Sequence, residues 1–121
     1  MTELKNQSCV PCRGGVPTLG SEDIEMQRTS VPKWSIIEEE GTRKLRRRFK
    51  LKNFKQALKF TVKVGHEAEE QDHHPTVLTE WGAVTVTWWT HKIGGLHHND
   101  FIMAARTDEV FASFSPSTKG E

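Results

Sequence analysis

Along RKLRRRFKLKNF (43–54) the chain alternates, with Leu45, Phe49 and Leu51 on one side of an extended backbone and Lys44, Arg46, Arg48, Lys50 and Lys52 on the other. A period of two predicts a strand with one dry and one wet face. The stretch before it, WSIIEEEG (34–41), reads as a partner strand ending at a glycine turn, which sets its acids beside the basic run. The period changes at Asn53. Phe54, Ala57, Leu58, Thr61, Val62, Gly65 and Ala68 recur at three- and four-residue steps behind Asn53 as N-cap, which predicts the main helix. Pro75 disfavours helical geometry at His74, so this helix ends near Asp72 or His73.

Beyond the proline, TVLTEW (76–81) and AVTVTWWT (83–90) are rich in β-branched and aromatic residues and are divided by Gly82, as in a hairpin. Val84, Val86 and Trp88 share one face of the second strand; Thr85, Thr87, Trp89 and His91 share the other. SEDIEMQRTS (21–30) predicts a short helix with Ser21 as N-cap, ended by Val31-Pro32. A last helix is expected in HHNDFIMAARTDEVFASF, with Asn99 or Asp100 near its start and Phe101, Ala104, Ala105 and Phe111 as its core stripe.

The order helix, two strands, helix, two strands, helix implies an α+β fold, a four-stranded antiparallel sheet with three helices on one face. Residues 21–114 form the domain, 1–20 a flexible N-terminal extension and 115–121 a mobile tail. The open sheet face and its edges would be covered economically by self-association as a homodimer or homotetramer.

Composition narrows the function classes. With 17 basic and 16 acidic residues in 121, the formal charge of +1 gives no global field for nucleic acid or an anionic membrane. No apolar run approaches the roughly 20 residues that span a bilayer, and MTELKNQSCVPCRGG has no apolar signal core, so a cytoplasmic protein is expected. Cys9 and Cys12 form a lone CxxC in a Pro/Gly-rich stretch, without the further ligands of a structural zinc site or the helix start of a redox motif.

Titratable groups concentrate in EEQDHHPTVLTEW (69–81). Glu69, Asp72 and His73 stand at i, i+3 and i+4 on the last turn of the main helix, whose carbonyl ends favour a cation. His91 stands at a strand end. Histidines titrate near neutrality, so the pattern suits proton transfer.

Glu69, three residues, His73-His74-Pro75, five residues, Trp81, nine residues, His91, eight residues, Asp100 resembles the active-site signature of the pterin-4a-carbinolamine dehydratases. The Cys-x-x-Cys-x-Gly-Gly start, Trp34, the Asn-Phe helix start, Thr90-His91 and Gly95-Leu96 extend the resemblance over residues 9–112. It implies a hydro-lyase that removes water from a 4a-hydroxytetrahydropterin to give the quinonoid dihydropterin, with the pterin as substrate, no cofactor and no metal. It also implies a functional link to aromatic amino acid hydroxylases, whose cofactor this reaction recycles. By that resemblance His73, His74 and His91 transfer protons and contact the pterin, while Glu69 and Asp100 orient imidazoles or bias their charge. Asp72, Trp89 and Thr90 would line the pocket, with Trp81 either as an aromatic wall or in a core or rim role. One departure is His97, with His98 after it, where the family commonly has Ser or Thr; this costs about 1 kcal/mol of helix capping unless Asn99 or Asp100 substitutes.

Two other classes stay open. A dehydratase-like chain can act as a non-catalytic assembly protein or dimerisation cofactor, since fold does not fix function. A metal-dependent hydrolase would use Glu69, His73 and His91 as ligands.

Overall fold

The computed structural model describes residues 4–7, 9 and 18–114. The expected tail over 115–121 and Cys12 lie outside them. Along the described chain run α1 (Ser21–Arg28), β1 (Ser35–Glu39), β2 (Thr42–Lys50), α2 (Phe54–Gln71), β3 (Thr76–Glu80), β4 (Ala83–Trp88) and α3 (His98–Phe114), with short 3-10 turns at Leu4–Asn6 and His91–Ile93. The strands form one antiparallel sheet in the order β1-β2-β4-β3. This is the expected α+β arrangement.

Two tight turns set the hairpins. Glu40 and Gly41 both take positive φ (51° and 80°), the backbone that matches a two-residue turn to strand twist, so Glu39 pairs with Thr42. Gly82 (φ 78°) turns the second hairpin, and its carbonyl accepts from the amide of Leu51 at 2.9 Å. The β2–β4 register pairs Leu45 with Trp88 and Phe49 with Val84, which puts the apolar side chains of both strands on one face. There they meet Ala57, Phe60, Val64 and Ala68 of α2 and Phe101 and Ala104 of α3. Phe49 lies at the centre, its ring 4.8 Å from Phe60, 5.0 Å from Phe111 and 5.9 Å from Trp34. Arg47 also points to this face. Its guanidinium lies over Phe49 and donates to Asp108 at 2.6 Å, and the Trp34 indole donates to the same carboxylate at 2.8 Å. Burial nonetheless holds the Asp108 carboxyl above its ordinary range.

The sequence expectations are corrected at three places. In α2 the buried row is Ala57, Phe60, Val64 and Ala68, whereas Phe54, Leu58 and Val62 are 45–51% exposed. The helix carries two apolar rows about a third of a turn apart, and the row with the larger central residue, Phe60, takes the core. At α1 the cap is Gly20, with no side-chain hydrogen bond, and Ser21 is the first helical residue. The described part of the extension expected to be flexible is docked on α3 and the end of α2. Arg106 donates to the Gln7 carbonyl at 2.6 and 2.9 Å, Lys5 meets Glu109 at 3.2 Å, and the Cys9 amide donates to Gln71 Oε1 at 2.8 Å. Burial, reinforced by the Asp100 carboxylate and opposed by Arg106, pushes the Cys9 thiol up to about 11.

Candidate active site

The end of α2 decides which histidine faces inward. Asn53 starts the helix, its side chain accepting from the Gln56 amide at 2.9 Å. At the other end Asp72 adopts the left-handed conformation (φ 52°, ψ 44°), and its amide bonds back to the carbonyls of Ala68 and Glu69. A short polar residue tolerates that geometry better than most. The left-handed step takes the chain off the helical path, so His73 does not continue the face bearing Glu69.

His73 is turned into the domain. Its ring lies parallel to Trp88, 5.6 Å between centroids and 5° between planes, and Nε2 sits 2.7 Å from Asp100 Oδ1. Asp100 is fully buried, and its other oxygen accepts from the Thr90 hydroxyl at 2.8 Å and the His97 amide at 2.9 Å. One carboxylate thus ties together the end of α2, the exit of β4 and the start of α3. His97 completes the join as N-cap of α3: its Nδ1 accepts from the Asn99 amide at 3.0 Å while Asp100 bonds back to the His97 amide. That is a reciprocal cap of the capping-box kind, with an imidazole in the Ser/Thr position that accepts from the second amide of the helix rather than the third. The cap expected to be lost is therefore made by the departing residue itself. His98, next to it, is held below the ordinary 6.5 by burial and then by the neighbouring His97.

His74 points outward. Its Nε2 lies 2.7 Å from Glu69 Oε2, and both side chains are solvent-exposed. Glu69 therefore pairs with His74, not with His73 as the helical spacing suggested. A carboxylate can only accept, so in both pairs Nε2 carries the hydrogen and Nδ1 is the nitrogen left to take or release a proton.

His91 is held differently. It follows Thr90, which reaches Asp100, and its exposed ring stacks on Trp89 at 4.3 Å and 19°. Lys44 Nζ lies 4.1 Å from the centroid of Trp89. Among the described residues no three histidine, cysteine, aspartate or glutamate side chains gather as a metal would need, so the alternative ligand set of Glu69, His73 and His91 does not assemble within them.

Glu69, Asp72, His73, His74, Thr90 and Asp100 thus collect at one end of the sheet, with Trp89 and His91 beside Thr90. Trp81 does not join them. It is 73% exposed at the Gly82 turn, the opposite end of the β3–β4 hairpin from Thr76 and Thr87, which corrects its assignment as an aromatic wall. The aromatic neighbour of His73 is Trp88, which the period of two had put on one face with Val84 and Val86, the face the structure buries. Sequence reasoning also missed Lys44. A groove of about 500 Å3 between the N-terminal segment and α3, lined by Leu4, Ala105 and Glu109 among others, contains none of the signature residues. The signature residues of the corner lie in the hydrogen-bonded cluster, not in that groove.

Comparison with known proteins agrees with this fold. The family model described as pterin 4 alpha carbinolamine dehydratase matches residues 17–110. A relative from Chlorobaculum tepidum that carries the pterin-4-alpha-carbinolamine dehydratase name is 51% identical over 110 residues, 91% of this chain and 99% of its own length. One from Nitrosococcus oceani with the same name is 53% identical over 110 residues, 91% of this chain and 97% of its own. A crystal structure from Brucella melitensis, described as a transcriptional coactivator/pterin dehydratase, superposes with a TM-score of 0.69 at 27% identity and covers 77% of this chain and 97% of that one.

Proposed function

The chain belongs to the pterin 4 alpha carbinolamine dehydratase family, a family of hydro-lyases, and from that membership we propose that it dehydrates a 4a-hydroxytetrahydropterin by histidine acid-base catalysis. In this reaction the C4a–O bond breaks and the oxygen leaves as water after accepting a proton. The N5 hydrogen passes to a base, and the N5=C4a double bond of the quinonoid dihydropterin forms. The step needs one proton donor and one acceptor, which need not be the same group.

The observation that carries the proposal is the shared Asp100 carboxylate, which binds His73 through one oxygen and Thr90, the neighbour of His91, through the other. Three imidazoles then stand at one end of the sheet, each held by a different partner: His73 by Asp100, His74 by Glu69 and His91 by Trp89. His74 and His91 are exposed and can meet a ligand; His73 is buried against Trp88 and Asp100 and orders the corner. Asp72, Trp89 and Thr90 would line the pterin site, and the reaction fits recycling of the pterin used by aromatic amino acid hydroxylases.

The test is stopped-flow absorbance of 4a-hydroxytetrahydropterin decay with and without the protein, in the presence of a chelator. Decay that is accelerated and insensitive to the chelator is expected. Decay no faster than buffer would overturn the proposal, and activity lost on chelation and restored by zinc would favour the metal hydrolase.

A second reading, an assembly or dimerisation role, is favoured by the exposed row Phe54, Leu58 and Val62 on α2 and by the coactivator description of the Brucella melitensis relative. It predicts a partner that binds equally well after His74→Ala, which titration calorimetry with that partner would read.

A further inference from the structure

Among the described residues His73 and His74 each have a carboxylate to fix the ring and His91 has none. Among the described residues its recorded partner is the face of Trp89, so the direction in which this imidazole points depends on how firmly Trp89 is held. Trp89 lies one step past the last β2–β4 pair, Leu45↔Trp88, and the same register puts Lys44 directly across from it. The Lys44 ammonium sits 4.1 Å from the indole centroid, within cation–π range. Lys44 is itself unusually restrained for a lysine. Its side chain is only 14% exposed, and Nζ donates to Glu39 Oε1 at 3.0 Å.

Glu39 is fixed in turn. Its second oxygen accepts from Arg46 Nη2 at 3.1 Å, and Arg46 Nε donates to the Thr87 hydroxyl on β4 at 2.9 Å. The hydrogen bonds from Lys44 and then Arg46 hold the Glu39 carboxyl below its ordinary range, as expected of a carboxylate gripped by two cations. A chain of contacts therefore runs along the open face of the sheet, from Glu39 on β1 through Lys44 on β2 to Trp89 at the exit of β4 and on to His91.

The geometry points to Lys44 as a positioning residue for His91: held by Glu39, it clamps the indole of Trp89 and so sets the orientation of the imidazole at the candidate site. Lys44 acts through Trp89 and touches no reacting atom. This deepens the dehydratase proposal and rests on it for the catalytic consequence, whereas the ordering of His91 by Lys44 stands on the contacts alone.

The experiment compares wild type with Lys44→Met, which keeps the stem and removes the cation, and Lys44→Arg, which keeps the cation–π contact. Proton NMR of the His91 imidazole, assigned with His91→Gln, reads the ring-current shift imposed by Trp89. Stopped-flow dehydration reads kcat and KM. Lys44→Met is expected to lose most of that shift and to lower kcat about three- to tenfold, the factor for losing one cation–π contact that holds a catalytic group. KM should change less than about twofold, and Lys44→Arg should restore both readouts. An unchanged His91 signal in Lys44→Met overturns the inference, as does an equal loss in both variants. If Lys44→Met fails to fold, Glu39→Gln, which loosens Lys44 without removing it, replaces it in the same comparison with the same criteria. An inactive wild type would refute the dehydratase proposal and leave the ring-current comparison to decide whether Lys44 orders His91.

Discussion

Two carboxylate–histidine pairs in this protein have the same 2.7 Å separation and opposite surroundings, which makes their energetic difference a direct test of what burial does. Asp100 is fully buried and accepts from three donors; in the other pair Glu69 and His74 have side chains 77% and 53% exposed. Asp100→Asn keeps the shape but offers one acceptor oxygen and one donor group. If the amide oxygen stays with Thr90 and His97, the NH2 faces His73 Nε2, which must then surrender its hydrogen and accept. The change replaces charge-assisted bonds by neutral ones and forces the other His73 tautomer, at a cost of about 1–3 kcal/mol. For a domain of this size that corresponds to a fall in thermal midpoint of roughly 5–20 °C. Glu69→Gln disturbs a pair already solvated and screened, worth less than about 1 kcal/mol, so its midpoint should fall by under about 5 °C. Raising the ionic strength should shrink the Glu69 effect and leave the Asp100 effect nearly intact. The assay is differential scanning calorimetry at one protein concentration, with 15N NMR reporting the His73 tautomer. Equal losses in the two variants, or an unchanged His73 tautomer in Asp100→Asn, would refute the assignment of the corner's rigidity to the buried carboxylate.

Three further expectations follow from the same geometry. His74→Ala and His91→Ala should each lower dehydration turnover by roughly ten- to ten-thousandfold with little change in thermal midpoint, and Trp81→Ala, at the far end of the hairpin, should leave turnover within about twofold; stopped-flow and calorimetry on the same samples decide. Removing the imidazole cap by His97→Ala should cost about 1 kcal/mol by chemical denaturation, His97→Ser should recover most of it, and turnover should change by less than about threefold. Because His98 is held below its ordinary 6.5, the fold favours its neutral form, so the stability this contributes is complete above pH 6.5 and drains away as pH falls through the lowered value; between about pH 7.5 and 5 the thermal midpoint should fall more steeply in wild type than in His98→Gln, and parallel curves would contradict this.

Much of the architecture can be read from the chain alone, because the forces that mark it are local. The alternation of Leu45 and Phe49 with Lys44, Arg46, Arg48 and Lys50, the Asn53 cap, the stop at Pro75 and the turns at Gly41 and Gly82 each act within a few residues, and each recurs in the folded protein. Apart from Trp81, the spaced signature from Glu69 to Asp100 named residues of the corner for a similar reason: residue type and spacing survive in sequence. How those residues pair did not survive in that form. The left-handed step at Asp72 sends His73 inward to a carboxylate 27 residues away and leaves Glu69 to His74. Helical spacing could not show that, since it assumes the helix continues. Of the two apolar rows on α2, packing against Phe49 and the β2–β4 sheet selected the one containing Phe60 and left Phe54, Leu58 and Val62 in solvent. The same cross-strand register put Lys44 over Trp89 and carried Trp81 to the far end of its hairpin. Elements were legible because hydrophobic period and capping are short-range, whereas partners were decided only when strand register and burial brought distant residues together.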